Sequence, residues 1–304
     1  MQRLPRKMTM AAANTSHEEI ARIVNGEVFF LVGAARSGTT WLQLCLDGHP
    51  DVSCSGEGHF TDVLAPRLTR AVNGYNKEIR DRDVLSLQRP DAFLTFGRSE
   101  ARALLASAIA LLLKKNAGGK ACRWLGEKTP DNVLHMQLLA DLFPRCRFIH
   151  IIRDGRDAAV SAWFNNLRIS EAQTMAKFGN FQGYMQRYAA SWSAKIRTAR
   201  AYGKKYPDRY CELSYEDLHR NFVETFRGVL AFLEVEAGDA AIETCRAAGR
   251  FSKQTGGRSR GAEDSQSHFR KGAIGDWKAH FDEDSMAAFG KEAGALLEEL
   301  GYAG

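Results

Sequence analysis

The chain has 304 residues, with 42 lysines and arginines against 36 aspartates and glutamates, and a formal net charge of +6. Its basic residues are dispersed rather than set in a stripe interleaved with aromatics, which argues against a nucleic-acid-binding surface. Six cysteines occur without a C-x-x-C pair, which argues against a zinc site or a disulfide framework and favours reduced thiols in the cytoplasm. The longest apolar stretch, residues 101–113, is interrupted by Arg102 and is too short to span a bilayer.

The N-terminal end differs in character from the rest of the chain. Residues 1–24 are polar and lack the apolar segment of a signal peptide, so we expect a flexible tail. Neither a linker nor an internal repeat divides the remainder, and we expect one α/β domain over residues 25–304. Strand-like and helix-like segments alternate within it, as a central parallel sheet flanked by helices requires.

The first strand-to-helix transition carries the most informative motif. The apolar run at residues 28–32 predicts a buried strand, and residues 39–46 predict a helix. Between them, the sequence GAARSGTTW at residues 33–41 has the glycine spacing of a phosphate-binding loop, where backbone N–H groups and the helix dipole can bind an anion. A nucleoside triphosphatase carries lysine where this chain has Thr39, and the cation here is Arg36. The loop therefore predicts a phosphate ligand other than ATP.

The next segment combines a short strand with a loop of titratable residues. Residues 50–54 predict the strand, which leads into a glycine-flanked loop that contains Glu57 and His59. Residues 60–97 lack a clean hydrophobic period, which predicts an irregular segment, and residues 99–115 predict a helix with a wide apolar face.

Two further basic segments also indicate phosphate binding. The apolar run RFIHII at residues 147–152 predicts a strand that ends at Arg153, and the helix after it contains Ser161. An arginine at a strand end and a serine two turns into the next helix could bind one phosphate together. The sequence FRKGAIGDWK at residues 269–278 has two adjacent cations followed by glycine, which suit a phosphate clamp. Further helices are predicted at 130–143, 181–202, 221–233 and 283–300, and a further strand at 210–213.

In this order, the three segments resemble those of the sulfotransferases that use 3′-phosphoadenosine 5′-phosphosulfate (PAPS). The resemblance extends from about residue 29 to residue 302 and includes Tyr215 after the strand predicted at 210–213. It implies the P-loop-like α/β fold of that family, and transfer of a sulfuryl group from PAPS to a hydroxyl of a carbohydrate, lipid-linked glycan or small molecule. Side-chain cations would replace the metal ion that kinases need. Residues 60–120 would form a helical insert that binds the acceptor.

The resemblance also implies roles for individual residues. Arg36 lies where cytosolic members carry a lysine near the bridging oxygen, so it is expected to bind PAPS and stabilise the leaving group. Lys128 matches the second lysine of those enzymes and is expected to act in catalysis. The other donor contacts that the resemblance implies are Ser37, Gly38, Thr39 and Thr40 for the 5′-phosphosulfate, Arg153, Ser161, Arg270, Lys271 and Gly272 for the 3′-phosphate, and Trp41 and Tyr215 flanking the adenine.

The family pattern breaks at Pro130, where the cytosolic enzymes carry their catalytic histidine. Proline can neither accept nor donate a proton, so the base that activates the acceptor must come from elsewhere. Glu57 is the first choice, because it lies where tyrosylprotein sulfotransferases carry a catalytic glutamate. His59 is the second choice, because the ordinary pKa of histidine lies near neutrality. Asp131 and Glu127 remain open as alternatives.

Two other functions are also open from the sequence. A small-molecule kinase would use the same strand, loop and helix, although the missing lysine argues against it. A nucleotide-binding protein without catalysis would account for Pro130 at the usual base position. Magnesium-dependent ATP chemistry would identify the first, and donor binding without turnover would identify the second.

Overall fold

The sheet is fully parallel, which confirms the predicted α/β class. The computed structural model describes residues 16–88, 93–264, 267 and 270–302. Its five strands lie in the spatial order β2-β3-β1-β4-β5, and each neighbouring pair runs parallel. The strands are β1 (Val28–Gly33), β2 (Val52–Ser55), β3 (Trp124–Lys128), β4 (Arg147–Ile152) and β5 (Tyr210–Ser214).

Helices cover both faces of this sheet. None of those in the described ranges is long and apolar enough to cross a lipid bilayer. In chain order they are α1 (His17–Val24), α2 (Thr39–Asp47), α3 (Ala65–Leu87), α4 (Arg98–Asn116), α5 (Met136–Leu142), α6 (Gly155–Phe178), α7 (Phe181–Lys205), α8 (Tyr215–Arg220), α9 (Phe222–Phe232), α10 (Asp239–Ala248), α11 (Phe251–Gln254) and α12 (Glu283–Glu299). Short 3₁₀ turns at Pro130–His135, Pro207–Arg209 and Asp276–Ala279 and a π-helical turn at Phe60–Leu64 complete the helical set.

The central strand β1 is buried on both faces, which explains its continuous apolar sequence. Successive side chains of a strand point to opposite faces. Phe29 and Leu31 accordingly pack with α2, α9 and α10 on one side of the sheet. Phe30 and Val32 pack with α4, α5 and α7 on the other side. The two apolar layers fix the sheet and therefore the positions of the loops at its ends.

All five strands end at the same edge of the sheet, because they are parallel. β1 leads into the phosphate-binding loop, β2 into the loop with Glu57, and β4 into Arg153. β3 ends at Lys128, and β5 leads directly into Tyr215. In open parallel sheets, ligands bind outside the carboxyl ends of the strands. The fold thus brings residues that are far apart in sequence to one edge.

Two segments are more helical than the sequence indicates. Residues 17–24, which fall within the predicted tail, form α1. The supposed irregular segment after residue 60 contains the 23-residue helix α3, so that expectation is wrong. On α3, Val72 is buried together with the polar residues Asn76 and Asp83. A buried stripe that is mostly polar gives no hydrophobic period, which is why the pattern concealed the helix.

Strand β3 was not predicted, although it lies between β2 and β1 in the sheet. Its sequence, WLGEK, has two apolar residues and ends in two charged residues. Both of these, Glu127 and Lys128, are buried in the folded chain. Charged residues are mostly exposed, so from the sequence alone Glu127 and Lys128 predict a surface loop. The partners that bury them are visible only in the folded structure.

Gly38 is required where the phosphate-binding loop enters α2. Its φ angle of +94° lies in the left-handed region, and a Cβ atom there would lie 2.5 Å from Cδ2 of Tyr215. We expect Gly38→Ala to lower the free energy of unfolding by about 1–3 kcal/mol because it adds both backbone strain and a clash. Urea denaturation measures this change.

Gly290 in α12 provides the matched control, because it is exposed and a Cβ there would meet nothing within 4 Å. Gly290→Ala should raise the stability by about 0.5–1 kcal/mol through helix propensity. Equal effects of the two substitutions would contradict the assigned role of Gly38.

Candidate functional site

A cavity of about 390 Å³ opens at the carboxyl edge of the sheet. Of the predicted site residues, all except Ser37 and Lys128 line it. Ser37 is fully buried in the phosphate-binding loop, and Lys128 contacts the lining residue Glu57. The described residues of the predicted insert, 60–88 and 93–120, contribute nothing to this wall. The three basic segments therefore meet in one cavity.

Contacts from two helices hold the phosphate-binding loop. Arg36 Nε donates to Ser161 Oγ on α6 at 3.2 Å. Tyr188 OH on α7 donates to the carbonyl of Ala35 at 2.5 Å. Ser37 Oγ is buried and has no hydrogen-bond partner within the described part of the chain. An unsatisfied buried hydroxyl is costly, which indicates that the loop is built to receive a polar ligand.

Arg153 joins the three basic segments. It follows β4, and its guanidinium donates to the carbonyls of Arg36 at 3.2 Å and Ala273 at 2.8 Å. The same guanidinium lies 4.6 Å from the ring centroid of Tyr215. Its Nε is buried without a partner among the described residues. Arg153 thus both links these segments and keeps one donor for a ligand.

The C-terminal cations are held by acids. Lys271 Nζ lies 2.5 Å from Asp276 Oδ1, and Arg270 also pairs with Asp276. Arg270 Nη1 contacts Glu263 Oε1 at 2.6 Å. Burial opposes ionisation of Asp276, but hydrogen bonds from Lys271 and Arg270 lower its pKa. Phe269, the first residue of this predicted segment, lies outside the described residues.

The cavity is strongly positive. Arg36, Arg153 and Arg168 line it, together with the paired cations of the C-terminal segment. Burial, followed by the charge of Arg153, lowers the pKa of Arg36 to about 10, and the charge of Arg168 acts in the same direction. Cations that repel one another in a buried site favour the binding of an anionic ligand.

The base candidates lie at the ends of β2 and β3. These strands are neighbours in parallel register, so the residues that follow them lie side by side. Glu57 Oε1 is 2.6 Å from Lys128 Nζ, and Glu57 Oε2 is 3.4 Å from His59 Nε2. His59 Nδ1 lies 2.9 Å from Asp62 Oδ2, and this hydrogen bond raises the pKa of His59. The Glu57 side chain is 39% exposed, whereas that of Lys128 is 5% exposed.

Glu127 braces the loop that carries Glu57. Its side chain accepts hydrogen bonds from Gly58 N at 2.7 Å, from Asn132 Nδ2 at 2.8 Å and from the hydroxyl of Thr129. Burial raises the pKa of Glu127 to about 7, although the hydrogen bonds from Thr129 and Gly58 act against this shift. The carboxyl group is fully buried and does not line the cavity.

Trp41 and Tyr215, which the sequence analysis placed on the two flanks of the adenine, contact each other directly. Their ring centroids are 5.6 Å apart and their planes meet at 75°, so no ring fits between them. Trp41 instead shares the cavity wall with Phe251, and the guanidinium of Arg260 lies 4.2 Å from its centroid.

Among the wall residues that sequence reasoning missed are Arg168, Phe251 and Arg260. Arg168 lies seven residues after Ser161 on α6, so the helical period could have placed both on one face. Phe251 begins the four-residue helix α11, which is too short for a periodic signal, and Arg260 lies in the glycine- and arginine-rich segment that follows it.

In the ranges that the structure describes, no group of three or more His, Cys, Asp or Glu side chains is arranged to hold a metal ion.

The model of the sulfotransferase family matches residues 29–239. The chain belongs to the sulfotransferase family.

Curated relatives of this sulfotransferase include protein-tyrosine sulfotransferases. The enzyme described as protein-tyrosine sulfotransferase 1 of Danio rerio is 27% identical over 215 residues, which cover 71% of this chain and 55% of the relative. The protein-tyrosine sulfotransferase of Drosophila melanogaster is 30% identical over 220 residues, which cover 71% of this chain and 39% of the relative. The chain thus spans about half the length of these relatives or less.

Solved structures confirm the sulfotransferase fold. Mouse sulfotransferase SULT7A1 complexed with PAP superposes with a TM-score of 0.55 at 16% identity, covering 95% of this chain and 93% of the mouse chain. Retinol dehydratase in complex with androsterone and the inactive cofactor PAP gives a TM-score of 0.51 at 18% identity, covering 93% of this chain and 85% of the other.

Glu127 should give this sulfotransferase a specific pH dependence of stability. Its folded-state pKa of about 7 exceeds the ordinary value of 4.5, so the native protein holds an extra proton between these values. The resulting stabilisation is present at low pH and is lost as the pH rises through 7. We expect the difference in unfolding free energy between about pH 5 and pH 8 to change by about 2–3 kcal/mol on Glu127→Gln.

Urea denaturation of both proteins at both pH values measures this double difference, in which the contributions of titrating groups distant from Glu127 cancel. Parallel pH profiles for the wild type and Glu127→Gln would show that burial of Glu127 does not set the dependence.

Proposed function

We propose that this sulfotransferase transfers a sulfuryl group from PAPS to an acceptor hydroxyl by in-line displacement. The observation that carries the proposal is the convergence of three basic segments on Arg153, whose guanidinium donates to the backbone of Arg36 and Ala273. This contact joins one anion site at the phosphate-binding loop to a second at Ser161 and the C-terminal cations. Two adjoining anion sites fit a donor with both a 5′-phosphosulfate and a 3′-phosphate.

The donor contacts follow from this placement. The start of α2 and residues 37–40 bind the 5′-phosphosulfate, because helix N-termini present free N–H groups. Arg153 and Ser161 hold the 3′-phosphate, together with Arg270, Lys271 and the backbone of Gly272. Trp41 offers a stacking face for the adenine, and Tyr215 borders it. Two solved structures of this fold, described as complexes with PAP, support the choice of nucleotide.

Glu57 acts as the general base. It faces the cavity, whereas Glu127 is fully buried and Asp131 is paired with Lys195 at 2.5 Å. His59 is a poorer base, because its hydrogen bond to Asp62 raises its pKa and keeps the ring protonated to higher pH. Glu57 and Asp131 both line the cavity and are both ion-paired, and the choice of Glu57 rests on its partner Lys128, the lysine expected to act in catalysis.

The reaction needs one proton transfer and one displacement at sulfur. Glu57 takes the proton of the acceptor hydroxyl as its oxygen attacks sulfur. The bond from sulfur to the bridging oxygen breaks, and its electron pair stays on the 5′-phosphate of the leaving PAP. Arg36 and Lys128 stabilise the charge that develops there. Lys128 lies 2.6 Å from Glu57, so it can turn from the carboxylate to the donor without a long movement.

The acceptor is a hydroxyl compound of a class that the cavity leaves open. The sequence resemblance implies a carbohydrate, a lipid-linked glycan or a small molecule, and the relatives described as protein-tyrosine sulfotransferases add a tyrosyl hydroxyl. The described residues of the insert, 60–88 and 93–120, lie outside the cavity wall, and its binding of the acceptor remains a proposal that rests on the sequence resemblance. A cytoplasmic location is part of the proposal, and six free cysteines support it.

Glu57→Gln tests the base. The amide keeps the size of the side chain and cannot take a proton, so turnover should fall about 10²- to 10⁴-fold. We expect the dissociation constant for PAP to change less than about threefold, because Glu57 acts on the acceptor. Transfer of radiolabelled sulfate from PAPS into a fractionated extract of the source organism measures turnover, and EDTA in the assay tests independence from metals.

His59→Gln is the matched control and should keep most of the activity. Loss of turnover in His59→Gln with normal turnover in Glu57→Gln would reverse the assignment. A requirement for magnesium and ATP would favour a kinase, and PAP binding without transfer to any fraction would favour a non-catalytic nucleotide-binding protein.

Ser161→Ala tests the 3′-phosphate site. The substitution removes a hydroxyl from a site for a charged group, so the preference for PAP over adenosine 5′-phosphate should fall about tenfold. Arg153→Ala should abolish this preference, although it also removes contacts that hold the fold. Isothermal titration with both nucleotides measures the ratio. An unchanged ratio in the folded Ser161→Ala protein would remove Ser161 from the site.

A further inference from the structure

Arg260 lies in the aromatic part of the cavity. Its guanidinium carbon is 4.2 Å from the ring centroid of Trp41 and 6.0 Å from that of Phe251. All three side chains line the cavity. A planar cation therefore lies against Trp41, the ring that is proposed to stack on the adenine, and near Phe251.

Trp41 also packs against buried residues, of which Tyr215 and Gly249 line the cavity as well. Its ring meets Tyr215 edge to face at 5.6 Å and lies 6.0 Å from the ring of Phe222. A Cβ atom on Gly249 would come within 3.2 Å of Cδ1 of Trp41, so the backbone of Gly249 packs closely as well. The ring surface next to Arg260 is the one that a ligand in the cavity can reach.

The contacts that hold Arg260 in this position are weak. Among the described residues, Arg260 forms no ion pair with a carboxylate. Burial lowers its pKa, since a guanidinium loses hydration there without a counter-charge. Stacking on Trp41 keeps it in place, and a nucleobase that stacks better can displace it towards solvent.

From this arrangement we infer that Arg260 blocks the purine slot of the free protein and that the adenine of the nucleotide displaces it. The inference rests on the proposed nucleotide site and adds an autoinhibitory contact to it. A slot filled by the protein's own cation lowers the apparent affinity for any purine nucleotide, because each binding event must first break the stacking contact.

The backbone next to Arg260 connects this contact to the phosphate clamp. Gly261 N donates to the carbonyl of Lys271 at 2.8 Å, and Asp264 N donates to that of Arg270 at 3.0 Å. Gly256, Gly257 and Gly261 all have positive φ angles, a conformation that side-chain-bearing residues adopt at a cost. The segment that carries Arg260 is therefore hydrogen-bonded to Arg270 and Lys271, the residues proposed to hold the 3′-phosphate.

Arg260→Ala is the decisive variant, with PAP as the probe. By charge alone, loss of a cation beside an anionic nucleotide would weaken binding. Displacement predicts the opposite sign, and we expect the dissociation constant to fall about three- to tenfold. Isothermal titration measures the affinity. Stopped-flow quenching of tryptophan fluorescence should show a faster association rate in the variant.

Arg187→Ala is the matched control, because Arg187 is exposed and lies 5.6 Å from the ring centroid of Phe178, away from the cavity. It should leave PAP binding unchanged, and Arg260→Gln should reproduce the tightening seen with alanine. Wild-type binding that is equal to or tighter than that of both Arg260 variants would overturn this inference alone. Failure of the wild type and the variants to bind PAP would overturn the proposed donor site, and this inference with it.

Discussion

The buried guanidinium of Arg153 is the interaction on which the site depends. It spans the carbonyls of Arg36 in the phosphate-binding loop and Ala273 beside the C-terminal cations, which lie more than a hundred residues away on either side. An arginine suits this position, because its fork of donors can contact two segments and retain a third donor for a ligand. Its bonds to the two carbonyls hold the basic segments together, although its own charge adds to the repulsion that lowers the pKa of Arg36.

The protein manages this excess of positive charge in two ways. At the C-terminal segment, Asp276 and Glu263 neutralise Arg270 and Lys271. At the phosphate-binding loop, burial and neighbouring arginines lower the pKa of Arg36, so its charged form is destabilised until an anion arrives. At the first location, Arg270 and Lys271 can exchange their carboxylate partners for a phosphate, whereas at the second location the ligand itself supplies the missing charge. One anionic donor that binds at both locations supplies counter-charge to both groups of cations.

The features that could be predicted from the sequence are those whose pattern lies within one short segment of the chain. Strands β1 and β4 are continuous apolar runs, and the glycine spacing of residues 33–41 lies in one segment, so both were predictable. Strand β3 was not, because Glu127 and Lys128 are buried by partners that come from other segments. The contact of Trp41 with Tyr215 and the position of Arg260 depend on tertiary packing and leave no pattern in the sequence.

Pro130 and the proposed base Glu57 follow neighbouring strands of the sheet. It begins a 3₁₀ turn directly after β3, where its fixed φ angle suits the first position and its missing N–H is of no consequence. Pro130 therefore helps to set the direction of the chain after β3, and its side chain has no group that could transfer a proton. The parallel register of β2 and β3 pairs Ser55 with Glu127, and this places Glu57 beside Lys128 at the same edge. Glu57, which follows β2, and Pro130, which follows β3, therefore line the same cavity.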